Sequence, residues 1–285
     1  LTRVVELLID GRLPATLDTP AGPRGAVVVL HGAGEPQRSY FLYAHLARVL
    51  PAAGVAVLRY DRRPWKHGDV PFDVQAADAV AAVTEVRRRI GDVPVGLWAW
   101  SQGGWPAAEV AATHPDLVAF LVLVAVSGVS PARQMRFGTA RQLLLRGYDE
   151  SVLADLAALR TALEEARRGR MPDAQQVVDR YADRPWFPLA YVPRDLRAGT
   201  WDDMDYDPEP VIARVTCPVL LCYGESDEWT PAEDSIAVWE RAAATDDLTV
   251  SRLPGCTHLP TLGGGSEISA DYTRTLSGWV EARLG

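Results

Sequence analysis

Residues 97–106 read LWAWSQGGWP. A serine stands between two tryptophans, with a glycine pair behind it. The stretch continues Val93-Pro94-Val95, an apolar run that reads as a buried strand. A small polar residue and two glycines at a strand end mark either an ordinary turn or a side chain held up for chemistry. A nucleophile at such a point must project its oxygen from a tight strand-to-helix turn. That turn demands small residues two positions before and two after the nucleophile. Ala99 and Gly103 occupy those positions, and Gly104 lets the following helix approach the strand. The pattern is A-x-S-x-G around Ser101, with alanine where glycine is usual.

Working outward, apolar strand-length runs alternate with helical patterns. A hairpin is expected over 4–19, turning near Asp10-Gly11. VVVL at 27–30 ends at His31-Gly32, and a helix over 39–50 places Phe41, Leu42, His45, Leu46 and Val49 on one face. VAVLRY at 55–60 is a strand, and an alanine-rich helix over 73–90 becomes basic at its end, which suits the helix dipole. The 93–100 strand, a helix over 102–113 and a strand over 117–128 follow. Near-continuous apolar strands alternating with helices indicate an α/β fold, a mostly parallel sheet with helices on both faces. The alternation breaks at Pro131. Helices are expected over 132–146, 149–168 and 174–182, and a Pro- and aromatic-rich stretch runs to Pro210. It resumes with CPVLLCYG at 217–224, a helix over 231–244, the strand LTVSRL and a helix over 266–283. The expected organisation is one core in two parts, 1–130 and 211–285, with 131–210 as a helical lid inserted over the sheet.

The net charge of −8 argues against nucleic-acid binding, which needs a basic face. The longest apolar run, 117–126, is strand-length, so no transmembrane helix is expected. LTRVVELLID at the start carries Glu6 and Asp10 within its apolar run and does not read as a signal peptide. Cys217, Cys222 and Cys256 form no C-x-x-C pair, which argues against a disulfide framework or a zinc site. Core cysteines and a cytoplasmic location are the expectation.

A serine hydroxyl needs a base to take its proton, and histidine is the usual one near neutral pH. The chain has five histidines. His45 lies inside an amphipathic helix and His114 precedes Pro115. His31 opens HGAG, where the backbone matters more than the ring, and His67 sits in a charged loop. His258, in PGCTHLP just after the last strand, is left as the base. The imidazole needs an acid to fix its tautomer. Asp227, in GESDEWTP three residues past the strand-ending Gly224, is the candidate, with Glu225 and Glu228 as rivals. Backbone N–H groups must face the developing oxyanion. Gln102 would supply one, and the HGAG loop the other, from Ala33 or, second, Gly34.

HGAG, RYDRR, WSQGGW, CPVLLCYGESDEWTP, PGCTH and the ending GGGSEISADYTRTLSGWV resemble the α/β-hydrolase superfamily, in detail its bacterial esterase and dienelactone-hydrolase-like members, related to prolyl-oligopeptidase-type catalytic domains. The likeness spans essentially the whole chain. It implies an α/β-hydrolase fold, the chain order Ser101, Asp227, His258, and acyl chemistry without a cofactor. The chain departs from the pattern at Ala99 and at PWKHG, which follows RYDRR in place of a glycine-rich turn.

Four further residues are expected near substrate: Trp100 beside the serine, Trp186 and Trp201 among the insertion aromatics (with Phe187, Tyr191 and Tyr206), and Arg62 in the basic cluster Arg62, Arg63, Lys66 and His67. Core packing and salt bridges are the competing readings. The acidic run WDDMDYDPE lacks calcium-loop spacing, so no metal is expected. The expected activity is hydrolysis of a small-molecule carboxylic ester through an acyl-enzyme. Thioesterase, lactonase, peptidase and acyltransferase use the same groups. A non-hydrolytic lyase or cyclase, and a silent binding protein, are the more distant alternatives. The expected partner is a small-molecule acyl substrate, with no nucleic acid and no membrane. The oligomeric state is left open, a homodimer included.

Overall fold

In a computed structural model, residues 1–66, 68–196 and 202–284 are described. The apolar runs form strands β1 (Arg3–Ile9), β2 (Leu13–Thr19), β3 (Gly25–Leu30), β4 (Val55–Tyr60), β5 (Val95–Trp100), β6 (Leu121–Val124), β7 (Val219–Gly224) and β8 (Leu248–Leu253). They make an eight-stranded sheet in the order β1-β2-β4-β3-β5-β6-β7-β8. The hairpin β1–β2 adds antiparallel to β4, and every pair from β4 to β8 is parallel. The helices of the core are α1 (Phe41–Val49), α2 (Phe72–Ile90) and α3 (Gly104–Thr113). The insertion holds α4 (Pro131–Leu145), α5 (Ser151–Arg167), α6 (Ala174–Tyr181) and the single turn α7 (Glu209–Ile212), and α8 (Ala232–Ala242) and α9 (Ala270–Glu281) complete the chain. Among the described residues no helix is long and apolar enough to cross a membrane.

Every residue of β3, β5, β6 and β7 is buried, as expected of strands covered on both faces. Side chains alternate across the sheet. Leu97 and Ala99 point into a core shared with Ala79, Val83, Ala107 and Val110 of α2 and α3. Trp98 and Trp100 point into the opposite core, with Leu42 and Leu46 of α1 and Tyr272 and Leu276 of α9.

Two elements differ from the sequence expectation. β6 covers Leu121–Val124, not the whole run 117–128. Ala125, at φ 51°, turns the chain out of the extended conformation immediately after Val124. An apolar run reports burial, and residues beyond a strand end stay buried after pairing stops. α9 begins at Ala270, not at 266, because the Ser269 side chain caps it by accepting from the Tyr272 N–H. Gly263 and Gly264 upstream adopt positive φ.

The insertion leaves the sheet after β6 and returns before β7, its immediate neighbour. It has a core of its own, built from Leu143, Leu156, Leu159, Leu163, Val178, Tyr181, Trp186 and Ala190. α4 starts where Ser130 accepts from the Arg133 N–H and Pro131 takes the first helical turn, a position that tolerates its missing donor.

Candidate active site

β5 ends at Trp100, and the next residue, Ser101, has φ 52°, in the left-handed region. For a residue with a side chain that conformation costs about 1–3 kcal/mol, and such strain collects at functional sites. The turn works only if the positions behind it stay bare. A Cβ on Gly103 would lie 2.8 Å from the His31 carbonyl oxygen and 2.9 Å from the Leu30 carbonyl carbon. A Cβ on Gly104 would lie 2.0 Å from Cγ1 of Val126. Gly103 faces backbone, which cannot yield as a side chain can. Gly103→Ala is therefore expected to lower stability by about 1–3 kcal/mol through overpacking. Urea unfolding measures it, and a midpoint equal to wild type would refute it. Ala99, in the usual glycine position, is fully buried in the core beneath α2 and α3.

Three strand ends converge on Ser101. The Ser101 hydroxyl lies 2.9 Å from Nε2 of His258, in the loop after β8. The other ring nitrogen, Nδ1, is 3.0 Å and 3.2 Å from the two carboxylate oxygens of Asp227, in the loop after β7. A carboxylate only accepts, so Nδ1 carries the proton and donates, and Nε2 is left to accept from the serine. Asp227 is held from behind, with Oδ1 accepting from the N–H groups of Trp229 and Thr230 at 2.9 Å and 2.8 Å. Its side chain is 1% exposed and that of His258 11%. Glu228, a rival for the acid position, instead accepts from the His258 N–H at 3.0 Å and ties that loop to the acid loop. Thr230 carries no signal of this role in the sequence. Its hydroxyl donates to the Ala125 carbonyl at 3.0 Å, pinning the acid loop to the end of β6.

The loop after β3 faces the same point. The Tyr43 hydroxyl takes the Gly32 N–H at 2.9 Å, and among the described residues the N–H groups of Ala33 and Gly34 meet no protein acceptor. The Gln102 N–H opens the turn into α3, where no preceding helical carbonyl exists for it. Gly34 sits at φ +76°. Gly32 is bare because a Cβ there would meet the Trp100 ring at 2.3 Å.

His31 anchors this loop through its ring, donating from Nε2 to the Tyr60 carbonyl at 2.6 Å. It is fully buried between Tyr43 and Tyr60. Burial pushes its pKa from 6.5 down to about 3, the bond to Tyr60 opposing and Arg62 assisting. The folded protein thus declines a proton that the unfolded chain accepts. Its contribution is present above the unfolded value and is lost as the pH falls toward the folded one. Acidification from about pH 6.5 to about pH 5 is expected to remove about 2 kcal/mol through this ring. Urea unfolding at both pH values, with wild type beside His31→Gln, measures it. An equal loss in the two proteins would refute it.

The four expected substrate contacts divide. Trp100 lines a cavity of about 560 Å³ with His258, Leu259, Trp229 and Leu145. It donates to the His258 carbonyl at 3.1 Å and stacks on Tyr40. Arg62 is buried inside the protein: Nη1 donates to Oε1 of Gln102 at 2.8 Å and Nη2 to Asp69 at 3.3 Å. Gln102 in turn donates to Asp69 at 2.7 Å. Arg62 therefore holds the residue beside the serine, and its neighbour Arg63 pairs with the buried Asp78. The salt-bridge reading of the basic cluster applies to both. Trp186 lies in the insertion's own core, 3% exposed and packed on Tyr181, because that small cluster needs a large apolar centre. Trp186→Ala is expected to cost about 3–5 kcal/mol and to leave ester chain-length preference unchanged. Unfolding midpoints beside an ester series check both. Trp201 lies outside the described residues, as does His67.

The insertion reaches the acid loop. Gly138 of α4 packs against the Trp229 ring, which a Cβ would meet at 2.4 Å, and Tyr191 meets the same ring edge-on at 5.3 Å. A second cavity, of about 500 Å³, lies between the insertion and the core, walled by Gly34, Asp69, Met135, Leu163, Tyr191 and Leu196 among others. A larger groove of about 710 Å³ lies near Arg38, Asp61 and Trp65, and neither Ser101 nor His258 lines it.

A parallel sheet of this order, with serine, acid and histidine delivered from the ends of β5, β7 and β8, defines an α/β hydrolase. The chain belongs to the family described as serine aminopeptidase, S33, which it matches over residues 21–262. Lipase LipV of Mycobacterium tuberculosis is 35% identical over 105 residues, 37% of this chain and 38% of the lipase. Pimeloyl-(acyl-carrier protein) methyl ester esterase of Neisseria meningitidis serogroup C is 30% identical over 166 residues, 58% of this chain. That match spans 63% of the esterase, so each covers less than two thirds of the relative. Proline iminopeptidase of Mycobacterium smegmatis shares the fold, with a TM-score of 0.61 at 19% identity over 99% of each chain.

Proposed function

We propose that this protein hydrolyses a carboxylic ester through a covalent acyl-serine. The observation carrying this reading is the unbroken hydrogen-bonded line from Ser101 through His258 to Asp227. His258 Nε2 takes the Ser101 proton as Oγ attacks the carbonyl carbon. The carbonyl oxygen becomes an oxyanion facing the N–H groups of Gln102 and Ala33, with Gly34 beside them. Asp227 holds the ring and stabilises its protonated form. The ester C–O bond breaks, and His258 returns the proton to the leaving alcohol. Water, activated by the same nitrogen, then attacks the acyl-serine and releases the acid.

In this reading the alcohol leaves through the cavity beside Trp100 and His258, since His258 must reach its oxygen. The acyl chain lies in the cavity behind Gly34, and helices α4 to α6 act as a lid that partly excludes water. Relatives named as a lipase and a methyl ester esterase support ester chemistry.

The test is a panel of p-nitrophenyl esters, acyl thioesters and aminoacyl anilides, together with labelling by a fluorophosphonate probe. Ester turnover with labelling confined to Ser101 is the expected result. Turnover of anilides alone would replace the reading with a peptidase, and absence of labelling would reject the nucleophile.

A further inference from the structure

The charges around the cavity between insertion and core are unevenly satisfied. Asp69 accepts from Arg62 and Gln102. Glu164, 5% exposed, accepts from Arg136 through both guanidinium edges, Nε at 2.9 Å and Nη2 at 2.7 Å. Arg168 approaches it at 3.8 Å. Arg167 pairs with Asp202. Arg160, on the same wall, differs. It is 6% exposed, and its one hydrogen bond among the described residues runs from Nη1 to the Ala190 carbonyl at 3.3 Å. Its Nε is buried and meets no acceptor, and it enters no ion pair among the described residues. Burial pushes the guanidinium pKa down, with Glu164 opposing.

Glu164 is already shared by Arg136 and Arg168, and a buried guanidinium with no ion-pair partner of its own is costly to keep unless something else supplies the anion. The carboxylates of the cavity are occupied and the cation is not, so the open place is for negative charge. Met135, Leu163, Leu196 and Met204 line the same space with apolar surface, and Gly34 brings it to the oxyanion loop.

We propose that Arg160 binds a carboxylate at the far end of the acyl chain, so that the preferred substrate is a monoester of a dicarboxylic acid. This rests on the acyl-chain placement proposed above. The planar fork of arginine matches a carboxylate through two parallel hydrogen bonds. Apolar walls then hold the methylene chain between that anchor and the ester carbonyl at Ser101. An amine-bearing substrate, by contrast, would meet carboxylates already occupied by arginines.

The test separates binding from turnover. Ser101→Ala protein is titrated with monomethyl esters of dicarboxylic acids of graded length, and with equal-length methyl esters ending in a carboxamide. At the length that fits, the carboxylate is expected to bind about 10- to 100-fold more tightly, the range of a charge-assisted hydrogen bond. Adding Arg160→Gln should remove that preference, and Arg160→Lys should keep part of it. In the active enzyme the same ratio should appear in KM, and Arg160→Gln should abolish it. Equal binding of the two series by the Ser101→Ala protein overturns the proposal without reference to any variant at 160. So does a preference that survives Arg160→Gln. Loss of turnover in wild type with the binding preference intact would instead reject the ester-hydrolase reading and leave the anion site standing.

Discussion

Replacing Ser101 with alanine is expected to lower ester kcat by about 10⁴- to 10⁶-fold while the protein stays folded. The substitution removes one oxygen and creates no cavity. It retains the backbone at φ 52°, where alanine fits no worse than serine. The N–H groups of Ala33 and Gln102 remain, so a residual rate above that in water persists. Steady-state kinetics on a p-nitrophenyl ester, beside circular dichroism and an unfolding curve, give the answer. Turnover within tenfold of wild type in a folded variant would remove Ser101 from the mechanism.

The second large effect is expected at Asp227. Asp227→Asn should lower kcat by about 10⁴-fold, with KM little changed, because the histidine takes the wrong tautomer. The structure dictates which way the amide must face. Oδ1 accepts from the N–H groups of Trp229 and Thr230, so the asparagine carbonyl has to occupy that position. Its NH₂ then takes the place of Oδ2, 3.2 Å from Nδ1 of His258, and donates to the ring. The carbonyl is also 3.0 Å from Nδ1, but its two lone pairs already take the Trp229 and Thr230 N–H groups, so Nδ1 accepts from the NH₂ and the ring proton moves to Nε2. There it faces the Ser101 hydroxyl as a donor and cannot take its proton. Glu228 is the control. It touches the His258 backbone N–H but not the ring, so Glu228→Gln should cost far less. A Glu228→Gln loss as large as that of Asp227→Asn would reverse the assignment of the acid. The comparison needs only kcat for three proteins on one ester.

Much of this candidate site is legible in the sequence. The strands are short apolar runs, and sheets covered on both faces leave that mark directly in sequence. Ser101, Asp227 and His258 each stand within a few residues of a strand end, so finding the strands also finds the places where the candidate residues emerge. The glycines at 32, 103 and 104 stand out in sequence, but what keeps them bare is tertiary: they face the Trp100 ring, the Leu30 and His31 backbone, and the Val126 side chain.

The rest depended on which distant groups meet. Arg62 and Trp186 had the composition expected of substrate contacts. One instead supports Gln102, forty residues away, and the other fills the insertion's small core. Arg160 carries no motif and attracts no notice in sequence, because what distinguishes it is a missing partner. The end of β6 turns on one backbone angle at Ala125 inside an unbroken apolar run. By itself, then, the sequence determined the α/β alternation and set Ser101, Asp227 and His258 close to strand ends. The tertiary structure decided which arginines are satisfied, which tryptophans face a cavity and where one strand stops. Periodicity reports whether a residue is buried, whereas its partner is chosen by packing between segments that sequence distance does not relate.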